Sequence, residues 1–302
     1  MDSGTMNQLL MQEAGKKFGS HKVLYSKYIP QIPASTEREY MRITNAYMKI
    51  LKEELEKELP KLKEIYKQER DAQMEYGTLH VDSLRTLYDV IFKLFARIKQ
   101  QVSARLQSFR LERKLRALSN LNLKLTTRQW GKAIKATLGI DIREDYYLGG
   151  FYAKQLEKWV QDNVALIKTI PDATLDKMRD IIYDGFTKGN TTTRMVKEIQ
   201  QTYGISRRRA ELIARDQTAK LNGQIQRAQQ MDAGIQEYIW CSTGDERVRE
   251  SHAELNGHKF RWDNPPENSD GRACHPGEDY QCRCIARPVF SRDMVLPLAE
   301  RS

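Results

Sequence analysis

Residues 84–109 have the sequence LRTLYDVIFKLFARIKQQVSARLQSF. Apolar side chains recur there at intervals of three or four residues: Leu84, Leu87, Ile91, Leu94, Ile98, Val102, Leu106 and Phe109. This spacing matches the 3.6-residue turn of an α-helix that buries one face. The stretch therefore predicts a long amphipathic helix, and similar periods in the flanking segments predict a protein built mainly of α-helices.

The start of the preceding helix is marked by a capping box. Thr36 and Glu39 stand three residues apart, just before the periodic run that opens with Tyr40. We therefore expect a helix to begin at Thr36 and to kink or restart at Pro60, where a backbone donor is missing. The long-helix region then covers residues 36–144, and residues 1–35 are expected to be a basic, mostly irregular arm.

Residues 145–234 keep the helical period but contain several breakers. We expect short helices there, with breaks at Gly149–Gly150, Pro171, the turn at 188–193 and Tyr203–Gly204. Beyond Gly234 the composition changes to β-branched, aromatic and turn-forming residues. The fold class expected is thus mainly α with a small α+β C-terminal module at residues 235–290, which is rich in strands and loops. Residues 291–302 form a tail without an interpretable pattern.

The composition restricts the class of protein. The chain has 302 residues, of which 40% are hydrophobic and 30% charged, and this balance favours long helices with narrow apolar faces over one large core. The net charge of +10 favours nucleic acid as a partner, although basic helix faces also serve solubility. No apolar run approaches the roughly 18 residues of a membrane span, and no signal peptide is evident. We therefore expect synthesis in the cytosol and no membrane-spanning contact.

The positive charge is concentrated around the predicted helices. Between Arg97 and Lys135 the only acidic residue is Glu112. A basic run of this length with a single acid can contact phosphates of double-stranded DNA without reading sequence, or can be a solvated helix face. The candidate DNA-binding residues are Arg105, Arg110, Arg113, Lys114, Arg116 and Lys124.

Cysteine and histidine residues cluster near the C-terminus. In a reducing compartment such a cluster indicates a metal site more readily than disulfides, and thiolate and imidazole ligands suit structural zinc. Cys282 and Cys284 would face one side of an extended segment, with His252 and either Cys274 or His275 completing four ligands. The full candidate set is His252, His275, Cys282, Cys284, Cys274 and Cys241. The alternative is reduced cysteines packed as small apolar groups beside a hydrogen-bonded histidine.

Several ordered motifs resemble one known family. The segment GISRRRAELIAR at 204–215 is followed by Trp240, Asp245-x-Arg247-x-Arg249-x-x-His252 and Leu255-x-Gly257, and then by His275-Pro276-Gly277 and Cys282-Arg283-Cys284. Over residues 160–288 this order closely resembles the phage head morphogenesis family, whose members are minor head proteins with a Mu F-like domain. Two features depart from that family: Asp216-Gln217 replaces a common Thr-Glu pair, and the longer loop at 277–281 could put His275 beyond a metal's reach.

The resemblance implies a minor head protein of a tailed bacteriophage, made in the host cytoplasm and carried inside the head or procapsid. It further implies binding to the portal protein, with scaffold or major capsid protein as further partners, and contact with packaged DNA that affects packaging or delivery. The motif residues expected to have structural roles are Arg215, Trp240, Asp245, Arg249, Gly257 and Arg283. Arg215 is expected in a buried ion pair, and Trp240 in the core rather than stacked on bases.

The alternative function is enzymatic. The Asp, His and Cys cluster would then hold a catalytic zinc or support nucleotide chemistry, as in a nuclease or an ADP-ribosyltransferase-like enzyme carried in the head. An open zinc site needs three protein ligands and a nearby acid, and Glu250 and Glu254 do flank His252. The HExxH pattern, a Ser-His-Asp set and a phosphate loop are missing, so we expect no catalytic residues and no enzyme activity.

Overall fold

The computed structural model describes residues 3–76, 81–142, 144–188, 190–246 and 248–294. This part of the chain contains eight helices and four strands, in the order α1 Ser3–Phe18, β1 Val23–Tyr25, α2 Ala34–Tyr76, α3 Val81–Ser108, α4 Leu111–Leu138, α5 Glu144–Tyr147, α6 Gly150–Thr187, α7 Thr192–Asp232, β2 Glu237–Cys241, α8 Glu250–Ala253, β3 Lys259–Arg261 and β4 Ile285–Ser291. The expected fold class, mainly helical with a small C-terminal sheet, is confirmed. No helix among these residues combines the length and apolar character needed to cross a membrane.

The chain divides into two compact units that do not follow the order of the sequence. The first comprises residues 1–40, 116–160 and 215–302, and the second comprises residues 41–115 and 161–214. The predicted division into consecutive segments therefore differs from the one observed, because packing between distant helices, and not chain order, determines which residues form a unit.

The second unit is built on the apolar face of α3 that the sequence predicted. Ile91, Leu94, Ile98 and Val102 are all buried. At the end of this face, the ring of Phe109 packs edge-on against Tyr47 of α2, with 5.4 Å between the ring centroids. Burial of these side chains contributes about 1.5–3 kcal/mol each, so the periodic stripe stabilises this unit.

The first unit contains a four-stranded antiparallel sheet in the order β1-β4-β2-β3. Alternation along β2 buries Tyr238 and Trp240 and leaves Cys241 half-exposed on the opposite face. Behind the sheet, the ring of Trp130 in α4 stacks on Phe290 of β4. The face of the sheet that carries Tyr238 and Trp240 packs against three buried cysteines, Cys274, Cys282 and Cys284.

Three expectations about boundaries were wrong. α1 and β1 occupy most of the arm expected to be irregular, and β1 is ordered because it pairs with β4. α2 begins at Ala34, so Thr36 lies inside the helix and donates to the Pro33 carbonyl instead of capping. α2 also does not restart at Pro60.

The short helices expected in residues 145–234 are instead two long ones. α6 continues through Pro171 and α7 continues through Gly204, while the breaks near Gly150 and Thr191 are confirmed. A single proline or glycine costs a helix about 3 or 1 kcal/mol, respectively, and packing of the buried faces on both sides outweighs that cost.

One glycine of α7 permits a close approach that sets up the C-terminal loops. A Cβ on Gly223 would lie 2.9 Å from the carbonyl oxygen of Pro276 and 3.4 Å from Cα of Gly277. Gly277 has φ +85°, and a Cβ there would meet the carbonyl oxygen of Ala219 at 3.2 Å. Helix and turn are therefore in backbone contact, which only paired glycines allow.

We predict that Gly223→Ala lowers the free energy of unfolding by about 1–3 kcal/mol, because the new methyl group collides with backbone atoms. Gly204→Ala is the matched control in the same helix, since a Cβ there meets nothing within 4 Å. The free energy of unfolding of this control should rise by up to about 1 kcal/mol, because alanine has a higher helix propensity than glycine. Denaturant unfolding measures both, and equal gains in the two variants would contradict the close contact.

Candidate metal centre

Four side chains of the C-terminal loops converge in the first unit. His252 comes from α8, Cys274 from the loop after β3, and Cys282 and Cys284 from the segment leading into β4. The donor atoms of His252, Cys282 and Cys284 lie within 4.8 Å of one another, and so do those of His252, Cys274 and Asp279. All four Cys and His side chains are at most 7% exposed. We call His252, Cys274, Cys282 and Cys284 the Cys3His cluster.

The two nitrogens of the His252 ring face different groups. Nδ1 lies 3.8 Å from the sulfur of Cys284, and Nε2 lies 3.2 Å from Oδ2 of Asp279. Asp279 also accepts hydrogen bonds from Arg249 and Arg272 at 2.8 Å each and from the backbone N–H of Tyr280 at 2.7 Å. Because its oxygens are filled in this way, Asp279 is placed to orient His252 rather than to serve as a fifth ligand.

The electrostatics of the cluster favour thiolate. Hydrogen bonds with Cys284 and His252, together with the backbone N–H groups of Cys284 and Gly277 at 3.4 and 3.3 Å, lower the pKa of Cys282 to about 5 against the opposing effect of burial. Hydrogen bonds to Cys274 and Cys282 raise the pKa of His252 to about 10. Both shifts favour a thiolate at Cys282 beside a protonated imidazole, and a bound cation would displace that proton.

Cys284 behaves differently because it donates to Cys282. That hydrogen bond, together with burial, raises the pKa of the Cys284 thiol. The indole of Trp240 acts in the opposite direction, and its buried Nε1–H has no hydrogen-bond acceptor among the described residues. An orphaned donor beside a thiol is costly, and a metal-bound thiolate at Cys284 would give this N–H a negatively charged neighbour.

The donor set therefore fits a metal ion. Three thiolates and one imidazole nitrogen match the preference of zinc, and four protein ligands fill a tetrahedral shell. A small pocket of about 60 Å³, lined by His252, Cys282 and Cys284 and bordered by Arg249 and Arg283, opens beside the cluster. Solvent can therefore reach the ligands from this side.

Two of the predicted metal ligands lie elsewhere. His275 is buried, but its Nδ1 is 2.8 Å from the hydroxyl of Tyr238 and its ring packs 5.0 Å from Trp262, so it belongs to the apolar core behind the sheet. Burial lowers the pKa of His275. Cys241 points to the other face of β2. Both assignments were wrong because loop length and strand alternation direct these side chains away from the cluster.

The motif residues surround the cluster. Asp245 holds Arg283 in a two-oxygen ion pair at 2.6 and 2.7 Å, and Trp240 is fully buried against the His252 ring at 5.5 Å. Gly257, with φ +82°, donates its N–H to the carbonyl oxygen of Trp240 and closes the turn into β3. Arg249 binds Asp279, as described above. Arg247 lies outside the described residues.

Arg215 does not form the buried ion pair that was expected. Its side chain is exposed and its Nε lies 3.3 Å from Glu37 of α2. The neighbouring residue has the buried role instead: Asp216 accepts the backbone N–H of Gln281 at 2.7 Å and binds Lys220 at 2.8 Å. Gln281 directly precedes Cys282 and has a left-handed backbone with φ +56°. Its hydrogen bond to Asp216 therefore stabilises a strained backbone conformation next to the cluster.

Sequence reasoning missed Asp279, Asp216 and Gly223. A carboxylate between His275 and Cys282 was the available signal for Asp279, since ligating histidines usually donate their second N–H to a carboxylate. Asp216 had been noted only as a departure from the family pattern, and Gly223 had no signal in the sequence apart from its place inside a helix.

The candidate DNA-binding residues fall into both units. Arg105, Arg110, Arg113 and Lys114 lie in the second unit, and Arg116 and Lys124 lie in the first. Arg105 is engaged by Glu53 at 2.6 Å and also by Glu54, Arg116 is engaged by Glu157, and Lys114 lies over the ring of Phe109. Arg110, Arg113 and Lys124 are exposed, and within the described part of the chain their side chains form no ion pair.

One family model and one curated relative match this chain. The sequence model described as phage Mu protein F like protein matches residues 176–287. An uncharacterized protein of Haemophilus influenzae (strain ATCC 51907 / DSM 11121 / KW20 / Rd) is 34% identical over 160 residues, which are 53% of this chain and 35% of that protein. The chain thus spans about a third of the length of this relative, and no solved structure matches. Residues 176–287 are therefore similar to the Mu F-like domain of phage head morphogenesis proteins.

Proposed function

We propose that this chain is a minor head protein of a tailed bacteriophage. It would act inside the head or procapsid, bind the portal, and contact packaged DNA so as to influence packaging or delivery. The observation that carries the proposal is the match of residues 176–287 to phage Mu protein F like protein, a stretch that contains the four potential metal ligands of the Cys3His cluster. A shell closed by protein leaves no position for substrate, which is typical of structural metal sites.

The metal proposed is zinc, and its role is to hold the C-terminal loops together. His252, Cys274, Cys282 and Cys284 would bind it, with Asp279 holding His252 in place. The apolar cluster behind the sheet is small and includes three of these cysteines as well as Tyr238, Trp240, Trp262 and Ala286. A core of this size stabilises the loops weakly, and a structural zinc site would supply part of the missing free energy.

We predict one zinc ion per purified chain, measured by elemental analysis. Cys282→Ser and Cys284→Ser should each lose the ion and lower the unfolding temperature, and a chelator should lower it to the same degree in the wild type. Asp279→Asn should keep the ion with about 10–100-fold weaker affinity, since it removes only the orienting carboxylate.

Cys241→Ser is the matched control, because Cys241 lies on the opposite face of β2 and should retain full zinc content. Zinc-free wild-type protein that binds no added zinc and melts unchanged with chelator would contradict the metal site. Loss of zinc in Asp279→Asn as complete as in Cys282→Ser would instead make Asp279 a ligand.

DNA contact is proposed for the cations that ion pairs leave available. Arg113 and Lys124 are exposed, and no acidic residue in the described chain engages them. Contacts of this kind bind phosphates and release counterions, so they give affinity without sequence preference.

We predict that binding to duplex DNA weakens steeply with salt, and that Arg113→Gln or Lys124→Gln each reduces the slope of log affinity against log salt by about 1. Arg261→Gln should leave the slope unchanged, because Arg261 is already held by Asp263 at 2.7 Å. Fluorescence anisotropy over a salt series measures this. Equal slopes in all three variants would exclude these contacts.

The partner surface proposed for the portal is an exposed face of α7. Ile205 and Leu212, seven residues apart, are 59% and 40% exposed, and Arg208 and Arg209 lie between them. Apolar residues with interspersed arginines are typical of protein interfaces. This face lies within the motif at 204–215. Packing in the core explains why Ala210 and Ala214 of that motif are small and apolar, but it does not explain the exposed Ile205 and Leu212.

We predict that the wild-type chain copurifies with portal rings from cells that assemble heads, and that Ile205→Ser with Leu212→Ser lowers the amount recovered at least tenfold. Leu121→Ser is the control, since Leu121 is similarly exposed at 39% on a different helix, α4. Quantitative mass spectrometry of the rings gives the readout. Rings that lack the wild-type chain would rule out portal binding.

The enzymatic alternative has one observation in its favour, the small pocket beside His252 and Cys284. Turnover of a nucleic acid or nucleotide that depends on His252, in protein whose zinc content and melting are unchanged, would establish it.

A further inference from the structure

A second cavity lies within the second unit and has no part in the Cys3His cluster. It measures about 460 Å³ and is formed where α3 meets α4, opposite the middle of α6. Cavities of roughly 300–1,000 Å³ are the size that small ligands occupy. Its apolar walls are the side chains of Val102, Leu106, Leu111 and Pro171. We call it the α3–α4 cavity.

A buried hydroxyl group lines the α3–α4 cavity. Tyr47 is 2% exposed, and within the described residues its hydroxyl has no hydrogen-bond partner. Burial and the nearby Asp172 raise the pKa of Tyr47 to about 12, so the group remains a donor at neutral pH. An acceptor on a bound ligand would take the hydrogen bond that this hydroxyl can donate.

Two cations line the same cavity. Arg110 and Lys168 are exposed, and their side chains have neither an ion pair nor a hydrogen bond within the described part of the chain. The two acids of the lining are already engaged: Asp172 lies 3.7 Å from Lys99, and Glu112 has a partner of its own. The unmatched donors of the cavity are therefore one hydroxyl and two cationic groups.

Arg110 is held in an unusual backbone conformation. It stands in the two-residue link between α3 and α4 with φ +54°, a region that costs a non-glycine residue about 1–2 kcal/mol. Glycine would adopt this conformation without strain. The sequence therefore has an arginine, whose guanidinium lines the cavity, at a position where glycine would form the turn without backbone strain.

The lining restricts the chemistry of the ligand. Aliphatic walls suit a branched aliphatic group, and the donors suit one negative charge. Asp172 and Glu112 would repel a second negative charge, as on a phosphate monoester. A nucleotide base would need an open aromatic face, whereas the Tyr47 ring is buried and packed edge-on against Phe109.

We propose that the α3–α4 cavity binds the C-terminal residue of a partner polypeptide, with an aliphatic side chain against Leu106 and Leu111 and the terminal carboxylate at Arg110, Lys168 and the Tyr47 hydroxyl. Capture of a chain terminus by converging donors is a known mode of peptide recognition. The proposal does not depend on the head function, because it rests only on this cavity.

The experiment is calorimetric titration of the full chain with acetyl-Leu-Leu as the free acid. The amide of the same peptide should bind at least about tenfold more weakly, because it lacks the charge that the cations bind. Acetate alone should not bind. Hexanoate also carries an aliphatic chain and a carboxylate, but it is not a peptide. If hexanoate binds as tightly as the peptide, the ligand of the cavity is a small carboxylic acid and not the C-terminus of a polypeptide.

Three variants locate the site. Arg110→Gly, Lys168→Gln and Tyr47→Phe should each weaken binding of the free acid at least about threefold, and the first should fold well because glycine suits φ +54°. Lys177→Gln is the control, since Lys177 is exposed on α6, the helix that carries Lys168, but does not line the cavity. Equal affinity for acid and amide, no binding of either, unchanged affinity in all three variants, or tighter binding of thymidine monophosphate than of the peptide would each overturn the proposal.

Discussion

The C-terminal part of this protein depends on one buried imidazole. The Nδ1 atom of His252 faces the sulfur of Cys284 and its Nε2 atom faces the carboxylate of Asp279, and both groups of potential metal ligands share this ring, so the loops that supply them must converge on it. Asp279 is itself held by two arginines, which connects the cluster to the surface of the domain. Polar networks of this kind are stable only when every member is satisfied, and this explains why the surrounding residues are so specialised.

The arrangement is possible because α7 and the Pro276–Gly277 turn approach to backbone contact. Gly223 and Gly277 have no side chains to separate the two segments, and Asp216 fixes the next residues by accepting the N–H of Gln281. One helix thus supplies both the steric opening and the hydrogen bond that position Cys282. The precision of the donor set comes from the helix, since loops alone rarely hold four ligands in register.

Periodicity in the sequence predicted the mainly helical fold, the α3 face and the C-terminal sheet, because these follow from local spacing. It did not predict the order in β1, whose partner strand lies more than 200 residues away in the chain, or the continuity of α6 and α7, where tertiary packing overrides Pro171 and Gly204. For the cluster, the residue types indicated metal chemistry, and Cys274, rather than His275, is the side chain that lies beside His252. That choice depended on the path of a loop, which spacing does not encode. The number of basic residues in the sequence likewise does not reveal which of them form ion pairs. Arg105 and Arg116 do, whereas Arg113 and Lys124 form none within the described residues.

The pairing of β1 with β4 has a consequence for synthesis of the protein. Val23 lies opposite Ser291, so an edge of the C-terminal sheet is supplied by a segment that leaves the ribosome long before its partner. Before β4 is synthesised, β1 has no neighbouring strand to pair with. When the two strands do pair, the entropy of closing a loop of more than 200 residues is lost in one late step of folding. The strand β1 can therefore join the sheet only after β4 has been synthesised. Until β1 pairs with it, β4 exposes an open edge, the part of a sheet most prone to pair with other molecules.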